Sequence, residues 1–246
     1  MFQRRDYRCW VQTTGLKAYT VKIKETDLYI RTLTDLSAFA FQSMKKHRDA
    51  LESYILAHPF FAASFEPVAI DGSAPEIVRE MVSASALAGV GPMAAVAGAM
   101  SQMVGQELSA ISAEVIIENG GDNYLRSSQE RIVAVYAGLS PLSGKVGLRF
   151  SPEDMPVGVC TSSGTVGPSI SLGKADAAVI VSPSAALADA AATAVGNAVK
   201  SAEDIPAALD IARGISGVTG AVIIKGDRIG VWGKLEICPL DISDRD

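Results

Sequence analysis

Helices of small residues and antiparallel hairpins in one mixed fold, with a helix-and-hairpin unit used twice, are what this chain predicts. The main observation is an internal echo. An Ala-rich helix, then Val115-Ile116-Ile117 and a turn ending in Gly121-Asp122, is matched by Ala-rich helices, then Val222-Ile223-Ile224 and a turn ending in Gly226-Asp227. Composition agrees: of 246 residues, 48% are hydrophobic and 20% charged, but only 6% are aromatic, and Ala and Gly dominate. Such a chain is long enough to bury a large core in a single domain over 1–246, without disulfides, and its helices are expected to pack closely.

The elements follow from periodicity. Tyr19, Val21 and Ile23, then Leu28, Ile30 and Leu33, alternate about the turn-prone Glu25-Thr26-Asp27 and predict a strand hairpin at an open end. From Asp35, placed as an N-cap, to about Ala57, the residues Leu36, Phe39, Ala40, Met44, Leu51, Tyr54 and Ile55 recur at helical spacing. A second helix runs from about Pro75 to Ala88. A third begins at Gly91-Pro92 and ends near Ser109, with Ala94, Ala95, Gly98 and Ala99 as small contact residues. Strands are predicted at Glu114-Ile117, Tyr124-Leu125, Ile132-Tyr136, Val146-Phe150, Val157-Thr161 and Ala177-Val181. An Ala-rich helix from Ser184 to about Lys200 and a shorter one from Ser201 to Arg213 follow, and hairpin strands at Ala221-Ile224, Ile229-Trp232 and Leu235-Cys238 close the chain.

Charge and cysteine usage narrow the function classes. A net charge of −5 without a basic stripe argues against a nucleic-acid partner, and Arg4, Arg5 and Arg8 are too few to alter that. Cys9, Cys160 and Cys238 are widely spaced, without a CxxC pair, which fits neither a disulfide framework nor a zinc site. The opening MFQRRDYRCW lacks the apolar stretch of a signal peptide, so a cytoplasmic location is expected. The long uncharged run between Glu80 and Glu107 is broken by Gly89, Gly91 and Pro92 and reads as two buried helices, not a membrane span. Small-residue helices and open hairpin ends fit a homo-oligomer.

Three segments carry chemistry. In Glu118-Asn119-Gly120-Gly121-Asp122 the glycines let the backbone approach a ligand or adopt positive φ, while Asn119 and Asp122 offer directional polar groups; the bland reading is a tight turn. Its counterpart Lys225-Gly226-Asp227 reads as a plain two-residue connection, and the first turn as longer and richer in function. In Cys160-Thr161-Ser162-Ser163-Gly164-Thr165-Val166-Gly167, hydroxyls and N–H groups crowd a loop after a strand and can nest an anion, with Lys174 and Asp176 completing it; a polar surface loop is the alternative. Cys160 is either a nucleophile at the mouth of that nest or an inert buried thiol. On the Ala-rich helix, Asp189 and Thr193 lie four apart on one face, where two hard oxygens suit Mg²⁺; a helix-end carboxylate and a back-bonded hydroxyl would need no metal. His47, beside Lys45, Lys46 and Arg48, reads as solvated, and His58 before Pro59 as a packing residue, which leaves no histidine triad or multi-histidine metal centre.

Taken in order, these three segments resemble the ApbE superfamily. The likeness is nearest to an uncharacterised ApbE-like family found mainly in anaerobic prokaryotes, through Val90 to Gly98, Glu118 to Asp122, Thr161 to Gly167 and Gly173 to Ala177. The resemblance implies an α+β fold of the ApbE type, in agreement with the duplication. ApbE proteins are Mg²⁺-dependent flavin transferases that split FAD and attach FMN to a threonine of a target protein. By that likeness Asp189 and Thr193 are metal ligands, and the Asn119 to Asp122 turn contacts the flavin nucleotide. ApbE enzymes also carry a His-x-x-Asp-Pro-x-Thr-Gly segment after the Ser-Gly motif, where this chain has Gly167-Pro168-Ser169-Ile170-Ser171-Leu172-Gly173 and no histidine.

Two functions follow. One is a Mg²⁺-dependent transferase acting on a flavin or another nucleotide, with Asp122 orienting the substrate. The other is an accessory or sulfur-handling protein in anaerobic sulfide assimilation into homocysteine, in which Cys160 matters more than the metal pair.

Overall fold

The structure is a computed structural model that describes residues 15–165 and 172–240. The first half of the chain runs β1 (Lys17–Ile23), β2 (Thr26–Thr32), α1 (Ser37–Ala57), α2 (Pro59–Ala63), α3 (Glu76–Ala88), a 3₁₀ turn at Pro92–Ala95, α4 (Val96–Ser109), β3 (Val115–Asn119) and β4 (Asp122–Arg126). After β5 (Arg131–Ala134) and β6 (Val146–Phe150) come β7 (Val157–Ser162), β8 (Ala177–Ser182), α5 (Ala185–Ala198), α6 (Ile205–Gly214), β9 (Gly220–Lys225), β10 (Arg228–Gly233) and β11 (Glu236–Pro239).

Eight strands form one antiparallel sheet in the order β1-β2-β3-β4-β7-β8-β9-β10. The predicted duplication is visible in that order, and it is larger than the echo alone indicates. Each half is a hairpin, a set of helices and a second hairpin, and each contributes four adjacent strands. One face carries the helices, with α4 on β3 and β4, α5 on β7 and β8, and α6 on β9 and β10. The opposite face of the central strands is covered by a three-stranded sheet, β11-β6-β5. Burial on both sides explains the uninterrupted apolar sequence of β8, in which Ala178 and Ile180 face the helices while Val179 and Val181 face the small sheet.

Small residues set how closely the layers approach. A Cβ on Gly98 of α4 would lie 2.2 Å from the Ala185 carbonyl oxygen of α5, and one on Gly158 of β7 would lie 2.4 Å from the Ala185 Cα. On the other side of α4, a Cβ at Gly105 would run 2.2 Å from Cδ1 of Tyr124, the residue that packs β4 against this helix.

Several local expectations are corrected. The first hairpin turns at Lys24-Glu25, since Ile23 pairs with Thr26 and Asp27 already lies within β2. Leu36, not Asp35, occupies the N-cap of α1, although the Asp35 carboxylate accepts the Ser37 N–H at 2.9 Å. His47 is buried, not solvated, with Nε2 2.9 Å from Oε1 of Glu107 on α4. α2 was not anticipated, because five residues are too few to show a helical period. β11 does not extend the closing hairpin; it leaves the large sheet and pairs with β6.

Among the described residues no single helix is long and apolar enough to cross a membrane. Glu76–Ala88 and Pro92–Ser109 reach that length only together, and they bend by 105° at their junction. Much of both is buried against the rest of the fold, as expected of core helices.

Two predictions follow from this packing. Gly105→Ala should lower the unfolding free energy by about 1–3 kcal/mol in chemical denaturation, because overpacking against Tyr124 exceeds the roughly 1 kcal/mol gained in helix propensity. A stability equal to or above wild type would contradict it. The second concerns Glu114, where burial by itself would raise the carboxyl, but hydrogen bonds from Ser127, Ser128 and Arg131 outweigh it and hold the pKa down from 4.5 to about 2. Its stabilisation, on the order of 2 kcal/mol, is then complete above about pH 4.5 and lost as pH falls towards about 2. Glu114→Gln should flatten the stability profile across that window, measured by urea unfolding at a series of pH values.

Candidate functional site

The site lies where β3, β4 and β7 meet the first turn of α4 and the middle of α5. Asn119 pairs with Asp122, so Gly120 and Gly121 alone make the turn, with φ of 71° and 112°. Two successive positive φ values are those of a type I′ hairpin, which glycine adopts without steric cost. The turn is thus no longer than its counterpart at Gly226-Asp227, contrary to the expectation that it would be. What distinguishes it is the polar groups around it. The Glu118 carboxylate accepts the Gly121 N–H at 2.9 Å and closes the turn. Asn119 donates from Nδ2 to the Ala97 carbonyl at 3.1 Å and ties the turn to α4.

Asp122, the first residue of β4, faces the helix layer and is buried. Among the described residues its Oδ1 has no hydrogen-bond partner. Burial pushes its carboxyl well above the ordinary carboxylate range, the negative charge of Asp189 adds to the rise, and the Thr161 N–H opposes it. Asp189 projects from α5 towards the start of α4, where Gly98 donates its N–H to Oδ2 at 2.8 Å. Part of Asp189 stays accessible, yet its carboxyl is enclosed enough that desolvation raises it to about 7 against the N–H groups of Gly98 and Ala97. The first two turns of α4 therefore touch both residues, since Ser101 also donates from Oγ to the Asp122 main-chain carbonyl at 3.1 Å. Two buried carboxylates that sense each other's charge require a proton or a cation in their company at neutral pH.

Thr193 lies one turn beyond Asp189 on α5 and is partly buried. An orphaned carboxylate oxygen, a second carboxylate and a hydroxyl on the same helix are hard oxygen donors suited to Mg²⁺. Among the described residues no group of three or more His, Cys, Asp or Glu forms a metal cluster, so a cation here would draw on hydroxyl, carbonyl or ligand oxygens as well.

Cys160 lies within β7 and not in the loop that follows it. It is fully buried, with Sγ 3.3 Å from the Ala185 carbonyl oxygen. Burial raises its thiol well above the usual value, and Asp122 and Asp189 raise it further. This environment stabilises the thiol and not the thiolate that a nucleophile needs.

β7 runs through Ser162, so Cys160, Thr161 and Ser162 lie in the strand and the loop begins only at Ser163. Thr161, Ser162 and Ser163 are half-buried while Gly164 and Thr165 are exposed. Gly164 donates its N–H to the Ala175 carbonyl at 2.9 Å and leaves no room for a side chain, since a Cβ would lie 2.2 Å from the Gly173 carbonyl oxygen. Thr165 donates its N–H to the Ser163 Oγ at 3.2 Å. Val166, Gly167 and the rest of the stretch through Ser171 fall outside the described residues, as do Cys9, Arg4, Arg5 and Arg8. Asp176 fastens the second hairpin turn, accepting the Gly226 N–H at 2.7 Å, with Lys225 Nζ 3.3 Å from its other oxygen. Lys174 is exposed, and its main-chain N–H is docked on the Val199 carbonyl.

Gly98 and Ser101 were missed as members of the site. Gly98 was read only as a small contact residue, and its N–H becomes a ligand of Asp189 through the crossing of two helices distant in sequence. A separate hollow beside α2 holds His58 among apolar side chains, with its ring 4.3 Å from that of Tyr54, consistent with packing.

The profile of the family described as AbpE bacteria matches residues 8–226. A UPF0280 protein of Methanosarcina acetivorans is 46% identical over 198 residues, 80% of this chain and 78% of the relative. One from Methanocaldococcus jannaschii is 43% identical over 220 residues, 87% and 89% of the two chains. Among solved structures, the apo flavinyl transferase ApbE of Pseudomonas stutzeri superposes with a TM-score of 0.58 at 15% identity, covering 89% of this chain and 94% of its own. The flavin transferase ApbE of Vibrio cholerae does so with a TM-score of 0.58 at 9% identity, covering 90% and 97%. These likenesses establish an ApbE-type α+β fold.

In native protein, iodoacetamide followed by peptide mapping should leave Cys160 unmodified, and denaturation should expose it fully. Rapid alkylation of Cys160 in the folded state would show that the thiol is reachable and would revive its reading as a reactive group.

Proposed function

Because the chain belongs to the AbpE bacteria family, together with the UPF0280 proteins of methanogens, we propose that it is a Mg²⁺-dependent transferase acting on a flavin nucleotide such as FAD. The observation that carries this reading is the pair Asp122 of β4 and Asp189 of α5, packed beside the first two turns of α4, in which Asp122 keeps an oxygen without a partner among the described residues. A purely structural pair of acids would be expected to have such oxygens satisfied by the protein.

Asp189 and Thr193 would hold the ion from one face of α5. Bound Mg²⁺ supplies charge neutralisation at a pyrophosphate and polarises the phosphorus under attack. Gly120 and Gly121 let the nucleotide approach the backbone of the turn, and Asn119 and Asp122 flank it on the adjoining strand ends. Thr161, Ser162, Ser163, Gly164 and Thr165 supply hydroxyl and N–H donors for phosphate oxygens at the end of β7. In the transfer, an acceptor hydroxyl oxygen bonds to the FMN phosphorus and releases its proton. The pyrophosphate bond breaks, and AMP departs with the bridging oxygen.

The test is incubation of the purified protein with FAD and Mg²⁺, with AMP followed by chromatography. AMP should form only with the metal present, and Asp189→Ala should reduce its rate by at least about 100-fold, as loss of a metal ligand does. Cys160→Ser keeps a small hydrogen-bonding group beside Asp122 and the Ala185 carbonyl and should leave the rate within about threefold of wild type. FAD that stays intact with fully folded protein, with and without a threonine-bearing acceptor, would defeat the reading.

A further inference from the structure

We propose that Asp122 is a direct ligand of the divalent cation, supplying through Oδ1 a second carboxylate opposite Asp189. This rests on the cation site of the preceding reading and extends it to β4, a strand remote in sequence from α5.

Among the described residues three buried side-chain atoms lack a hydrogen-bond partner: Ser43 Oγ, Arg149 Nε and Asp122 Oδ1. The first two have an opposite or neutralising neighbour. Arg149 Nε is 2.8 Å from a Glu236 oxygen, and the Ser43 hydroxyl lies beside the Glu107 carboxylate. Asp122 differs, because the charged group nearest in effect is another acid, Asp189. Neither Asp122 nor Asp189 has a lysine, arginine or histidine within ion-pair distance among the described residues. The protein has placed two carboxyl groups in a desolvated space and, among the described residues, has provided no cation of its own, so a proton or a bound ion must balance them.

The backbone sets where that oxygen lies. The register that pairs Asn123 with Val159 brings Asp122 opposite Cys160, and both face the helix layer. The Cys160 sulfur touches the Ala185 carbonyl oxygen, and Ala185 precedes Asp189 by one turn on the same face of α5. From the other side, α4 donates the Gly98 N–H to Asp189 and the Ser101 hydroxyl to the Asp122 main chain. Strand, strand and two helices thus converge on the space between the two carboxylates. The Gly98 and Ala97 N–H groups bond the Asp189 carboxylate, which leaves Oδ1 of Asp122 beside it as the unpartnered hard donor among the described residues. A divalent ion of the Mg²⁺ type takes such oxygens, and the adjacent thiol is too soft and too firmly protonated to compete for it.

The experiment uses the whole protein without nucleotide and Mn²⁺ as the probe, with free Mn²⁺ read by electron paramagnetic resonance and melting followed in parallel. Asp122→Asn keeps the shape and removes the charge. It should weaken Mn²⁺ binding by at least about tenfold, melt at or above the metal-free wild-type temperature, and lose most of the rise in melting temperature that Mn²⁺ gives wild type. Asp189→Asn should weaken binding as well. If Asp122→Asn binds Mn²⁺ like wild type while Asp189→Asn does not, Asp122 is no ligand and the cation site of the functional reading still stands. If metal-free Asp122→Asn melts well below wild type, its carboxylate serves the fold and the proposal is overturned. Absence of Mn²⁺ binding to wild type overturns it too, whereas the FAD assay decides the functional reading separately.

Discussion

Where α4 crosses α5, the Ala185 carbonyl oxygen lies so near Gly98 that a Cβ would come within 2.2 Å of it, and the same Ala185 presses on Gly158 of β7 from the other side. Much of the molecule depends on this contact. It brings the main chains of two helices and a strand together without intervening side chains. The Ala-rich composition of α5, which buries Ala185, Ala186, Ala188, Ala190, Ala191 and Ala192, is the sequence-level expression of that requirement. Larger residues would separate the layers and remove the Gly98 N–H from reach of Asp189.

The electrostatics of the site follow from the same closeness. A carboxylate at the open N-terminal end of a helix is favourable, because it meets N–H groups that have no partner within the helix. Asp189 satisfies that role at α4 from a different helix. Asp122, brought alongside by β4, gains no comparable partner for Oδ1. One acid therefore has main-chain N–H partners for its charge, and the other needs a proton or a positively charged companion. The same enclosure disfavours a thiolate at Cys160, since full burial and two neighbouring acids all oppose it.

The duplication shows how one framework supports two unlike turns. Both sheet-end hairpins are two-residue connections, and each is closed by a carboxylate accepting the second or first glycine N–H, Glu118 at Gly121 and Asp176 at Gly226. The second is further neutralised by Lys225, whereas the first faces Asp122 and the start of α4. The first copy is the one beside the Asp122 oxygen that has no partner among the described residues. The ApbE-type framework persists at 9–15% identity to solved flavin transferases, as expected if backbone approach and layer packing constrain the fold more than particular side chains do.

Much of the fold was legible in the chain because it rests on local periodicity. Alternation in β1 and β2, helical spacing in α1, the Gly91-Pro92 break and the Val-Ile-Ile strands of both halves identify almost every element and the repeat itself. The turn at Gly120-Gly121, the loop after β7 and the Asp189-Thr193 face were readable as candidates from residue type and spacing. Nothing local distinguishes Asp122 from an ordinary turn aspartate, or Cys160 from a reactive thiol, or His47 from a solvated histidine among lysines. Those distinctions are made by desolvation and by partners some 20 to 90 residues away in sequence, as with Asp122 and Ser101, or Gly98 and Asp189. The same holds for β11, whose strand character is local but whose choice of β6 over β10 is a matter of which sheet had an edge to cover. Residue pattern alone determined the elements and their repetition; only the tertiary structure decided which polar groups share a buried space, because charge and solvation depend on distance in space and not along the chain.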